Sequence, residues 1–372
     1  LIAGAGVCLI AALVWIYMPS SSVRTEDAYV DGNIVQVTSQ ISGTVTAIGA
    51  DDTDHVQAGH SLIQLNSVDQ EVQFERAKAQ LAKATRAART QYSQVSQLQA
   101  QVAQRSNDVD KAKADLTRRA QLATSGAVSR EEINHAEDAL KNAQAMLTAA
   151  RQQLAQRTAM VDGTVLRTHP EVLAAAANLR DAYVALERTK ILAPIDGAVT
   201  KRNVQVGQRI NPGASLMSVV SLKNLWVNAN FKESQLESLR IGQPVTLTAD
   251  VYGKDVTYTG QIAGLDAGTG SAFALLPAQN ATGNWIKVTQ RVPVRIILDE
   301  KQIAEHPLRL GLSMHVSVDA SNQSGSVMSS GISPANLYTT HVFDHELHDA
   351  SEIVEAVIKA NEGVSNPVKA DR

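Results

Sequence analysis

The sequence predicts a multidomain α and β chain: an N-terminal transmembrane helix, a β-sandwich split into two halves, a long antiparallel α-helical coiled-coil hairpin between the halves, and a small antiparallel β-barrel. Three observations predict it. Two stretches 154 residues apart are copies of one another, ISGTVTAIGADDTDHVQAGHSLIQL from Ile41 to Leu65 and IDGAVTKRNVQVGQRINPGASLMSV from Ile195 to Val219. Between them, apolar residues recur every seven positions, the period of a coiled coil. After them, apolar and polar residues alternate in short runs between glycine turns, the pattern of half-buried strands.

The first element is the apolar segment. Leu1 to Met18 carries no charge, and 18 helical residues span about 27 Å, close to the roughly 30 Å hydrocarbon layer. Trp15 and Tyr17 sit at its downstream end, where interfacial aromatics collect, and Pro19 with Ser20, Ser21 and Ser22 ends it. The segment 1–22 is therefore read as a membrane anchor, and the opening on Leu1 rather than Met implies a further piece upstream. A cleaved signal peptide stays open as the other reading, because the serines could serve as a cleavage site. A lipoprotein signal fits less well, since Val7 precedes Cys8 where a small residue belongs.

The repeat comes next. A shift of 154 places Gly43 on Gly197, Val45 on Val199, Gly59 on Gly213, Ser61 on Ser215 and Leu62 on Leu216 without a gap. Each copy is too short to bury a core, so two must close into one small sandwich, with Gly43, Gly59, Gly197 and Gly213 at its turns. Residues 23–68 hold a strand bound for the barrel and the first half; residues 193–221 hold the second half.

Residues 69–192 form the insert, with its tip at 123–129. No Pro or Gly falls between Asp69 and Leu122, and Phe74, Leu81, Ala88, Val95, Val102, Val109 and Leu116 keep one heptad phase. The return series runs through Ile133, Leu140, Leu147, Leu154 and Val161, flanked by Ala136, Ala143 and Ala150. Gly126 breaks the pattern, and Ser129 with Glu132 makes a capping box for the return helix. A second break from Val161 to Pro170 reads as a kink, after which Val172, Leu179 and Leu186 resume the heptad. Outbound and return arms both come to about 52–54 residues, a rod of about 80 Å.

Strands then predict a barrel over 222–320: LWVNANF, PVTLTADV, VTYTGQIAGL, NWIKVTQRVPVRIIL and MHVSVDA, with a short helix in KESQLESLRIGQP. Residues 321–372 read as a linker, SNQSGSVMSSGISP, followed by a terminal helix over HVFDHELHDASEIVEAVIKANEG.

Composition and motifs exclude several functions. With 34 basic and 37 acidic residues the net charge is −3, the wrong sign for nucleic acid. Cys8 is the only cysteine, so neither an internal disulfide nor a cysteine metal site is available. GTGS from Gly268 to Ser271 lacks the lysine of a phosphate loop, and no His-Glu-x-x-His pair or serine elbow exists. Asp51 and Asp52 read as a solvated loop. His341, His345 and His348 with Asp344 could gather a metal on one helix face, but a solvated face is the expectation. No catalytic residue, cofactor or metal site is expected, and the chain is not expected to be an enzyme.

The split repeat resembles the biotinyl/lipoyl-like domain of the membrane fusion (periplasmic adaptor, HlyD-like) family. DAYVDGNIVQV from Asp27, LWVNANFKESQL from Leu225 and GLDAGTGSAFALLPAQNATGNWIKVTQRVPVRI from Gly264 to Ile296 resemble its EmrA-like branch, so that coverage runs roughly from Leu1 to Ala320. The resemblance implies an inner-membrane, single-pass protein with its bulk in the periplasm. It implies self-association into a ring and two partners, an EmrB-like major-facilitator drug exporter and a TolC-type outer-membrane channel. It also gives the tip a meaning: Arg118, Leu122 and Ser129 fit the R-x3-L-x6-S spacing with which such proteins dock on the channel. An ordinary cap, with Arg118 solvated and Ser129 closing the helix, is the competing reading. Two other functions stay in view, an adaptor for type I (ABC transporter) secretion and a lipoyl or biotin carrier. Against the carrier, NSVDQ from Asn66 to Gln70 holds no lysine, while Lys190 and Lys201 lie off the hairpin that would carry the group.

Overall fold

The 154-residue repeat of sequence is also a repeat of structure. In the computed structural model, which describes residues 22–123, 126–273, 289–328 and 338–363, the chain forms β1 (Ser22–Thr25), β2 (Ala28–Thr38), β3 (Gly43–Ile48), β4 (His55–Val56), β5 (Ser61–Leu65), α1 (Val68–Ala123), α2 (Arg130–Thr158), α3 (Pro170–Glu187), β6 (Lys190–Leu192), β7 (Gly197–Thr200), β8 (Arg209–Ile210), β9 (Ser215–Lys232), β10 (Pro244–Ala249), β11 (Thr257–Leu265), β12 (Arg291–Leu298), α4 (Glu300–Glu305), β13 (Met314–Asp319) and α5 (Glu346–Asn361). Strands β3, β4 and β5 begin 154 residues before β7, β8 and β9. The copies interlock: β3 pairs with β8 through Gly43 and Ile210, and β4 pairs with β7 through Val56 and Gly197. Backbone bonds repeat with the copies exchanged. Val45 N–H donates to Gln208 O and Val199 N–H to Asp54 O; Gly59 N–H donates to Ala193 O and Gly213 N–H to Ser39 O, all within 2.8–2.9 Å. This is a pseudo-two-fold, and it buries Val45, Leu62, Ile63, Val199, Leu216 and Met217 to 1% exposure or less.

Contacts divide the chain into two units, residues up to Gln64 with Ile191–Val342, and Leu65–Lys190 with residues from Phe343 onward. In the first, sheet order is β1-β13-β10-β11-β12-β9-β7-β4 with β2 on β9, and the four-stranded sheet runs β6-β5-β3-β8. Strand β9 belongs to both the repeat and the barrel, and β2 follows it along its length, from Ala28 opposite Ala229 to Thr38 opposite Ser215. The barrel closes where Val30 N–H donates to Leu312 O and Gly311 N–H to Val30 O, at 2.9 and 2.8 Å. Its core holds Phe231, Leu247, Tyr258, Ile262, Ile296 and Val318. Burial pushes the Tyr258 phenol up to about 12, and its hydroxyl donates to His306 O at 2.9 Å.

In the second unit α1 pairs with α2 and α3. Every residue of the outbound heptad series is buried or half-buried, as is every residue of the return series. Four details differ from the sequence reading. Glu233–Ser238 is a 3-10 helix. Helix α4, capped where Lys301 N–H donates to the Asp299 carboxylate, lies in a stretch read only as strand-rich. The terminal helix starts at Glu346, since His345 is its N-cap. That helix is also no appendage: it packs on α1 and α3. Among the described residues no helix is long and apolar enough to cross a membrane. The anchor expected at Leu1 to Met18 lies outside them, as does most of NWIKVTQ.

Candidate partner-docking site

Helix α1 runs 56 residues without a break and delivers Arg118 and Leu122 to its last turns. Both side chains are exposed, Leu122 by 46%, an unusual position for a leucine so close to a coiled-coil seam. Arg119, one step round the helix, is held differently: its Nε donates to Asp115 Oδ2 at 2.8 Å. The turn passes through Gly126 at φ +77°, where a side chain would be strained. Ser129 then opens α2. Its hydroxyl accepts from Glu132 N–H at 3.2 Å and donates to Glu132 Oε2 at 3.1 Å, while its own N–H donates to the same carboxylate oxygen at 2.9 Å. Those bonds to the Ser129 N–H and hydroxyl hold the Glu132 carboxyl below the usual carboxylate range. Of the three tip residues, then, Arg118 and Leu122 face outward, whereas Ser129 is engaged in the cap.

The glycines sort into two kinds. Gly59 and Gly213 are at φ +84° and +82°, equivalent turns of the two copies. Gly197 has ordinary dihedrals, but a Cβ there would sit 2.2 Å from the Val220 carbonyl oxygen. Gly43 is the first residue of β3, opposite Ile210.

One acidic reading changes. Asp51 and Asp52 are exposed but not merely solvated: Arg202 Nε donates to Asp51 Oδ1 at 2.6 Å and Arg202 N–H to Asp52 Oδ1 at 2.9 Å. The Arg202 bond is the main reason the Asp51 carboxyl lies below its ordinary value. In the tail, His341 precedes α5, and His348 pairs with Glu352 at 3.4 Å. Among the described residues no group of His, Cys, Asp or Glu is placed to hold a metal.

Sequence reasoning missed one surface of the barrel. Tyr29, Asn228 and Arg295 lie side by side across β2, β9 and β12, and Asp31, Trp226 and Ile297 form the adjacent row. The Arg295 guanidinium stacks 3.8 Å from the Trp226 ring centroid. Trp226 Nε1 donates to Asn228 Oδ1 at 3.1 Å and Asn228 Nδ2 to Asp31 Oδ2 at 2.7 Å. Pre-ordered Trp, Tyr and Arg on a surface are what interface hot spots are made of. The alternation of outward residues was visible in the sequence; their assembly across three strands needs the register.

A helical hairpin inserted into a two-copy β module that runs on into a barrel is the architecture implied by the membrane fusion resemblance. Residues 68–189 match the family model described as the EMRA alpha-helical hairpin domain. Residues 224–319 match the AAEA-like beta-barrel domain. The multidrug export protein EmrA of Escherichia coli K12 is 46% identical over 94% of this chain and 90% of its own length. The fatty acid resistance protein FarA of Neisseria gonorrhoeae is 53% identical over 80% of this chain and 76% of its own. The probable multidrug resistance protein EmrK of Escherichia coli K12 is 43% identical over 83% of this chain and 80% of its own. The chain belongs to the EmrA family of multidrug export adaptors, transport proteins and not enzymes.

Proposed function

We propose that this chain is the periplasmic adaptor of a tripartite multidrug efflux system, coupling a major-facilitator exporter of the inner membrane to a TolC-type channel of the outer membrane. The observation that supports it most is the hairpin. A helix of 56 residues is about 84 Å long, far more than its stability requires, and it ends on exposed Arg118 and Leu122. Reach and a small apolar contact flanked by a cation suit docking on a distant helical partner. Transport energy comes from the exporter; the adaptor holds the parts in register.

Leu1 to Met18 serves as the single anchor, the interlocked repeat as the split biotinyl/lipoyl-like domain, and several copies join in a ring. The Trp226–Arg295 surface is the candidate contact for the exporter. Tyr29 follows Met18 by 11 residues, so even a fully extended chain keeps this face within about 40 Å of the anchor's end. The name of the FarA relative adds fatty acids to the compounds worth testing as cargo.

Site-specific photo-cross-linking in native membranes tests this, with one probe at Ala120 on the tip and another at Arg295 on the barrel. The tip should trap an outer-membrane channel and the barrel a major-facilitator exporter. Capture of an ABC transporter would move the assignment to type I secretion. Capture of neither class would overturn it.

A further inference from the structure

The return arm of the hairpin is broken, and the C-terminal helix lies across the break. Between Thr158 and Pro170 the chain is helical only over the 3-10 turn Leu166–Thr168. On one side this joint is tied to α1, where the Tyr92 hydroxyl meets Thr164 Oγ1 at 2.8 Å and the Tyr92 ring meets the edge of His169. On the other side it is tied to α5. Arg167 donates from Nη1 to Glu355 Oε2 at 2.5 Å and from Nε to Glu362 Oε1 at 2.9 Å. Those carboxylates, seven residues apart, lie on one side of α5, Glu355 within the helix and Glu362 at its C-cap.

Apolar packing backs the ionic ties. Ala350, Val354, Val357 and Ile358 form one stripe of α5, each 8% exposed or less. Val354, Val357 and Ile358 meet Leu81 and Ala88 of α1 with Val172, Ala176 and Leu179 of α3, the latter five all at 2% or less. The outbound heptad series shows what α5 contributes: Leu81 and Ala88, beside α5, are fully buried, whereas Val95, Val102, Val109 and Leu116, in the two-helix part, are only half-buried. Further ties fix both ends of α5, Arg86 Nη1 to Asn361 Oδ1 at 2.7 Å and Arg188 to Glu346 at 3.8 Å. The joint itself is imperfectly satisfied. His169 is 4% exposed, and among the described residues its Nδ1 has no hydrogen-bond partner. Opening would hydrate that nitrogen, which lowers the cost of opening the joint.

We propose that α5 is a splint: by packing on the hairpin root and gripping Arg167, it converts a hinge between α2 and α3 into a rigid joint. A rod hinged there would bend and lose its aim; a splinted one transmits position from root to tip. Such a splint acts whichever partners the tip and barrel engage.

Amide hydrogen exchange on the full-length chain tests it, against a chain ending at Val342 and against Arg167→Gln. Removing α5 should speed exchange of the amides in 159–169 and 81–92 at least tenfold, with β10 to β13 unchanged. R167Q, which keeps the apolar stripe, should speed exchange in 159–169 alone. A peptide covering residues 343–363, added in trans, should restore protection to the shortened chain. Should the shortened chain lose its helical signal, R167Q and the Glu355→Gln/Glu362→Gln pair decide. Unchanged protection of 159–169 in those variants would refute the splint.

Discussion

At the scale of single residues, the pseudo-two-fold makes each position its own control. Gly197 is required for space: a valine side chain would drive Cβ into the Val220 backbone, which cannot rotate away as a side chain could. Gly197→Val should therefore lower stability by about 2–4 kcal/mol, seen as a drop in Tm with the hairpin's helical signal retained. An unchanged Tm would show that the two backbones leave room for a side chain there. Thr53 presents the opposite case. It stands at φ +79° where its counterpart in the second copy, Gly207, stands at +83°, and a β-branched residue is strained in that region. Thr53 N–H donates to Val199 O at 2.9 Å, a bond that glycine keeps. Thr53→Gly should raise stability by about 1 kcal/mol, despite the entropy glycine adds to the unfolded chain; a lower Tm would mean that the entropy wins. Asp51 supplies a pH test. Its folded pKa lies below its ordinary value, chiefly through Arg202. The ion pair's contribution is thus present above the unfolded pKa of about 3.9 and is lost as pH falls through the depressed folded value. Carboxyl NMR should place the Asp51 midpoint below that of an unfolded peptide, and Arg202→Gln should raise it toward the ordinary range, with the Asp52 N–H bond still holding it down in part.

At the scale of elements, legibility followed the range of the cause. The heptads of α1 and α2, the Ser129–Glu132 cap and the exact offset of β3, β4 and β5 against β7, β8 and β9 were readable because each rests on residues a few positions apart, or on plain self-similarity. The exchange of partners between copies, the Asp51–Arg202 pair and the seating of α5 were not. They join residues more than 100 positions apart, with nothing local to announce them. The terminal helix illustrates the limit well. Val354, Val357 and Ile358 stand plainly in its sequence, but the residues they cover on α1 and α3 belong to the same heptad series that reads as the hairpin seam. At the tip, Ser129 is committed to the cap with Glu132, whereas Arg118 and Leu122 face outward, where the proposed docking contact would lie. Ser129→Ala should cost about 1 kcal/mol of helix stability. Arg118→Asp with Leu122→Ser should leave melting nearly unchanged yet cost a partner interface several kcal/mol, enough to abolish a contact of moderate affinity. Drug-resistance assays would then show loss of protection by a stable, normally expressed adaptor, and full protection would remove the tip from the docking surface.

At the scale of the whole molecule, the hairpin is an insertion that the β module does not need for its own core. The residues that flank it meet: Leu65 N–H donates to Thr189 O at 2.8 Å. The interlocked copies, in turn, draw every cross-copy bond from residues outside the helices. Neither copy can fold alone, because β3 finds its partner in β8 and β4 in β7, yet the two together require only that their ends be joined. Loop-closure entropy rises slowly with length, so replacing residues 67–187 by a short Gly-Ser loop lowers that cost without removing a strand. Deletion of α5 must accompany the change, since its apolar stripe would otherwise lose the surface that covers it. The resulting protein should unfold cooperatively, with a β-rich circular dichroism spectrum and with the Arg295-stacked environment of Trp226 preserved in its fluorescence. It should retain cross-linking from Arg295 to the inner-membrane exporter, lose cross-linking to the channel, and give no resistance. A chain that failed to fold would mean that the helical unit carries part of the β module's stability; a folded chain that still conferred resistance would show that reach is not what the hairpin provides.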